Sequence, residues 1–76
     1  MDEIKAILKE IRPEFNFNDS GDFIEDGLLD SFDMVSLVSM LEETFHISID
    51  GLDIMPENFN SFEAIAEVVG KSGGAV

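Results

Sequence analysis

Gly27-Leu28-Leu29-Asp30-Ser31-Phe32-Asp33-Met34 is the stretch whose reading decides the fold. Asp30 suits a helix N-cap, because its carboxylate can accept from first-turn amides that have no intrahelical partner. Ser31 then takes the first helical position, with its hydroxyl at the mouth of the helix. A phosphate ester placed there would lie at the positive end of the helix dipole. Downstream, Met34, Leu37, Val38, Leu41 and Phe45 fall within one narrow arc at about 100° per residue. That arc predicts a helix over Ser31–Phe45 with a core-facing stripe. Phe32, Val35, Ser36, Ser39 and Glu43 fall on the far side, which leaves two apolar residues facing water.

Upstream, residues 14–29 read as a long loop rich in Asn, Asp, Ser and Gly, pinned by Phe15, Phe17, Phe23 and Ile24. A loop of this length in so small a domain is more often functional than idle. Before it, Ile4, Ile7, Leu8 and Ile11 keep the spacing of one helical face, and Pro13 ends that helix. After the central helix, Ile47-Ser48-Ile49 alternates like a strand but is too short and has no partner, so it reads as loop. A short helical turn is expected around Leu52 to Asn58. Ser61 caps a last helix carrying Phe62, Ile65, Ala66 and Val69, with Gly70 as its C-terminal stop. The expected domain is residues 1–70, followed by a flexible tail over residues 71–76. The fold class is all-α, a small bundle of three main helices and one short helix.

Composition narrows the function. The 76 residues allow one small domain and contain no cysteine, so neither disulfides nor thiolate metal sites support it. Compact helix packing is the remaining means. Any thiol chemistry would need a thiol brought in by a prosthetic group. Seventeen acidic residues against four basic ones give a formal net charge of −13, which repels nucleic acid and anionic membranes and favours partners with basic patches. With 45% hydrophobic residues, periodically placed, the chain is not a disordered acidic protein. No basic leader and no long apolar run precedes the first helix, so a cytoplasmic monomer is expected.

Asp30-Ser31-Phe32-Asp33 at the start of an amphipathic helix resembles the attachment motif of the acyl and peptidyl carrier proteins. Phe23-Ile24-Glu25-Asp26 before it, Leu41-Glu42-Glu43-Thr44-Phe45 at the helix end and Phe59-Asn60-Ser61 before the last helix agree with the same pattern. The resemblance runs from about Ile4 to Val69. It implies a right-handed or up-down four-helix bundle that performs no chemistry itself. It also implies that Ser31 carries a covalent 4'-phosphopantetheine arm, attached by a phosphopantetheinyl transferase. Acyl- or aminoacyl-loading enzymes with basic docking patches would then meet Asp30, Asp33, Glu42 and Glu43, with Phe32 and Val35 as a small apolar contact.

Competing readings fare worse. Asp-Ser alone would be an ordinary helix start; the long loop before it and the exposed Phe32 and Val35 after it argue otherwise. A hydrolase nucleophile needs a positioned base, and the sole histidine, His46, lies past the far end of the helix. At about 1.5 Å per residue that is about 20 Å away. No Gly-x-Ser-x-Gly elbow is present either. Asn16 to Gly27 places oxygen ligands as a calcium loop would, but the twelfth position is Gly27 where a bidentate glutamate is required. A turn built on Asx side chains accounts for it better. Asn18-Asp19-Ser20 matches a glycosylation sequon, which a cytoplasmic chain never presents to the modifying machinery. An unmodified acidic adaptor of the same fold would lack the attachment serine, and Ser31 is present.

Within the resemblance, the chain departs from carriers of fatty acid synthesis, which typically read Leu-Gly-Ala-Asp-Ser-Leu. Here the stretch is Gly27-Leu28-Leu29-Asp30-Ser31-Phe32, with Ser36 where glutamate is usual and Ser39 where an exposed methionine is common. Together with Pro56-Glu57-Asn58-Phe59, this looks more like specialised carriers, D-alanyl, aminoacyl or stand-alone acyl types charged by adenylating ligases.

Overall fold

Three α-helices organise the chain, α1 (Asp2–Ile11), α2 (Ser31–Phe45) and α3 (Phe62–Lys71). The computed structural model describes residues 2–74. Asp2 and Glu3 in the first turn of α1 and Lys9 in its last complement the helix dipole. Ile4, Ile7 and Leu8 of α1 are buried, as the spacing predicts, and α1 packs against both α2 and α3. Met34, Leu37, Val38 and Leu41 bury the expected face of α2. On α3 Ile65 and Val69 are buried as expected, Val68 joins them, and Phe62 and Ala66 are only half-buried. Phe45, at the end of the arc on α2, is half-buried against the same core. Irregular segments complete the core with Phe17, Phe23, Leu29, Ile49 and Phe59.

The loop between α1 and α2 is held mainly by Phe23, which is 1% exposed. Its ring meets Phe17 edge-on at 4.9 Å and Phe62 at 5.1 Å. Its N–H donates to the carbonyl of Asn60 at 2.8 Å, and its carbonyl accepts from the amides of Leu28 and Leu29. That double acceptance folds the chain back at Gly27, whose φ of 80° a side chain would strain. Asp22 supports the same turn by accepting from the amides of Ile24 and Glu25. Phe15, expected to pin this loop, stays outside the core, at 39% exposure.

Differences from expectation lie where short-range geometry decides. The single turn expected over residues 52–58 is two 3-10 turns, Gly51–Asp53 and Pro56–Asn58, and another 3-10 turn forms at Phe17–Asp19. Asp50 caps the first by accepting from the amide of Leu52, and Pro56 starts the second with its fixed φ. Asn16 caps the third by accepting from the amide of Asn18, while its own amide donates to Asp19, an Asx turn rather than a cation loop. α3 does start after Ser61, whose hydroxyl accepts from the amide of Ala64. It runs one residue beyond Gly70, and Lys71, its last residue, reaches Asp53 at 2.7 Å. The positive φ beyond the helix falls on Gly73, not Gly70. Gly74 then returns its amide to the carbonyl of Val69 at 2.8 Å. Residues 75–76 of the expected tail lie outside the described residues.

Candidate functional site

The start of α2 is assembled from two parts of the chain, its own first turn and the segment just after α1. Asp30 has extended backbone, φ −113° and ψ −173°, and its Oδ1 accepts from the amide of Asp33 at 2.9 Å. Asp33 Oδ2 accepts from the amide of Asp30 at 3.1 Å, so each residue satisfies the other's orphan donor. This is a capping box with aspartate where glutamate or glutamine is usual. Arg12, just beyond α1, closes the arrangement. Its Nε donates to Asp33 Oδ2 at 2.9 Å and its Nη2 lies 3.5 Å from Asp30 Oδ2. Nη1 faces Glu14 at 3.6 Å.

Electrostatics follow from these contacts. The Asp30 carboxyl is held below its ordinary range, chiefly by the amide of Asp33 and further by the charge of Arg12. The same pairing, led by the hydrogen bond to Asp33, raises Arg12 above its ordinary value. A carboxyl whose folded value is lowered adds stability above its unfolded value. That stability is lost as acid brings the pH down through the lowered value.

Ser31 sits between the two aspartates, exposed, at the first position of a 15-residue helix. Among the described residues its hydroxyl makes no hydrogen bond, because Asp30 does the capping. Phe32 is 84% exposed and Val35 66% exposed, with Ser36, Ser39 and Glu43 also facing solvent. The far side of α2 is therefore open as the spacing predicts.

Two expected docking residues are turned to other work. Asp33, expected on the surface, is only 8% exposed, because it closes the capping box and takes the Arg12 guanidinium. Glu42 is half-buried and accepts from the amide of Ile49 at 2.9 Å, which ties the segment after α2 back to the helix. His46 ends α2 with left-handed backbone, φ 56°, and is exposed. The contribution of Arg12 was missed in sequence; the one cue was Asp30-x-x-Asp33 itself, a capping-box spacing. Leu52, at 83% exposure, is a further apolar side chain in water, outside the helical spacing.

Replacing Asp33 with alanine strips the amide of Asp30 and Arg12 Nε of their shared acceptor. The expected cost is about 1–3 kcal/mol, the usual range for leaving such donors unpaired. Urea unfolding of both proteins at neutral pH measures it. A variant as stable as the parent would show that the box contributes nothing.

Comparison with known families gives the class. Residues 2–69 match a carrier domain, described as the phosphopantetheine attachment site. The chain belongs to the phosphopantetheine attachment site family. It is a non-catalytic carrier that a phosphopantetheinyl transferase modifies with covalent 4'-phosphopantetheine. Neither the curated proteins nor the solved structures compared with the chain yield a match. Among the described residues, no helix is long and apolar enough to cross a membrane.

Proposed function

We propose that Ser31 bears the phosphopantetheine arm and that the chain holds a biosynthetic acyl or aminoacyl group on it as a thioester. The observation that carries this reading is the exposed Ser31 hydroxyl, free of hydrogen bonds among the described residues and set between a capping pair at the helix start. An oxygen so placed fits the group. It is accessible to a transferase, and a phosphodiester formed on it gains from the helix dipole. In the transfer, Ser31 Oγ attacks the pantetheine-bound phosphorus of coenzyme A. The diphosphate P–O bond breaks, 3',5'-ADP leaves, and the hydroxyl proton passes to a base on the transferase. The arm supplies a terminal thiol, which a chain without cysteine otherwise lacks.

Phe32, Val35 and Glu43 form the docking face of this reading, and partners with basic surfaces suit it. Such contacts are fast, weak and salt-sensitive, as a shuttle requires. Tethering then gives the cargo a high effective concentration at the partner's active site. Ser36 thins the acidic surface of α2 and Ser39 its apolar contact, which supports loading by an adenylate-forming ligase over malonyl transfer. The test offers holo protein to both loading systems and follows the thioester by mass. The ligase is expected to charge it with a carboxylic or amino acid, and a malonyl transferase to do so poorly. Efficient malonyl loading followed by elongation would place the chain in ordinary fatty acid synthesis instead.

A further inference from the structure

Arg12 is the one arginine of the chain, and its guanidinium spans both aspartates that flank Ser31. It comes from 21 residues before Asp33, so the contact is tertiary and not a by-product of helix geometry. The Asp33 side chain is 11% exposed and that of Arg12 34%, so the pair is part-buried and less screened than a surface bridge. Resting on the assignment of Ser31 above, we infer that Arg12 is a positioning residue for the modification. It holds the Asp30–Asp33 box closed and offsets the carboxylates beside the serine hydroxyl.

Two physical effects make the position matter. The first is geometric. Ser31 is the first helical residue, so its oxygen is placed only as well as the cap on either side of it. A misplacement of about 1 Å at a reacting atom can cost about a hundredfold in rate. Arg12 fixes the cap from outside the helix, through Nε on one aspartate and Nη2 on the other. A lysine has one point of charge and cannot bridge both in this way. The second effect is electrostatic. The co-substrate arrives as a diphosphate anion at a helix start whose cap contains two carboxylates, Asp30 and Asp33. Like charges repel, and the guanidinium, 3.5 Å from Asp30 and 2.9 Å from Asp33, offsets part of that repulsion.

The test uses the full chain, coenzyme A and a transferase, with kcat and KM for the carrier measured for the parent, Arg12→Gln, Arg12→Lys and Val35→Asp. Amide hydrogen exchange is followed at Asp30 and Asp33, with Leu41 as the reference within α2. Arg12→Gln is expected to lower kcat about tenfold with KM within about twofold, within the range that misplacement allows. Exchange at Asp30 and Asp33 should accelerate while Leu41 stays protected. Arg12→Lys should recover part of kcat, and it carries the test alone if the glutamine variant does not fold. Val35→Asp should do the opposite, raising KM with the exchange pattern unchanged. A parental kcat in Arg12→Gln, or a kcat loss with both cap amides still protected, overturns the inference. A parent protein that gains no mass overturns the Ser31 assignment instead, so the two failures are distinct.

Discussion

Ser31→Ala is expected to abolish modification completely while leaving the fold intact. The other serines are committed or misplaced. Ser20 Oγ donates to Asp26 at 2.6 Å, Ser61 Oγ accepts from the amide of Ala64, and Ser72 is the C-cap of α3. Ser36 and Ser39 are exposed within α2, where amides are already paired along the helix, and Ser48 lies in a loop. Only Ser31 joins an exposed hydroxyl to a capped helix start. Alanine is also the best helix former and takes nothing from the cap, which belongs to Asp30. The check is intact mass after incubation with coenzyme A and a transferase, alongside far-ultraviolet circular dichroism. The parent should gain one phosphopantetheine and the variant none. A variant that still gains mass would falsify the assignment.

Phe23→Ala is expected to have the largest effect on stability. The ring is fully enclosed and touches both Phe17 from its own loop and Phe62 from α3. Truncating a buried phenylalanine costs about 3–5 kcal/mol. A domain of this size has roughly 4–11 kcal/mol in all, at about 0.05–0.15 per residue. The melting temperature should therefore fall by at least about 12 °C. Scanning calorimetry and urea unfolding read the change directly. A loss below about 1 kcal/mol would mean the loop collapses onto the vacated space, contrary to the close packing of interiors.

Local rules made much of this legible beforehand. α2 begins and ends where the Asp30 cap and the apolar arc place it, and Ser61 starts α3 as its hydroxyl suggests. These signals are short-range and repeat along the helix. What periodicity could not reach depends on partners distant in the chain. On a helical wheel Asp33 lies at the edge of the core arc, and its inward commitment comes from Arg12 across the loop. Glu42 likewise looks like a surface acid until the chain after His46 turns back and presents the amide of Ile49. Phe15 and Phe17 read alike in sequence, yet only Phe17 finds the Phe23 ring. Gly70 was an ordinary stop signal, but Lys71 gains a partner in Asp53 that extends the helix past it.

Because Arg12 and Asp33 are joined directly, the segment between them is a closed loop whose ends do not depend on its length. A side chain added at Gly21 would meet nothing within 4 Å, so the outer surface of that loop can change without moving its junction. The segment can therefore acquire new recognition surface at that point by substitution, while the serine at its exit keeps the same address.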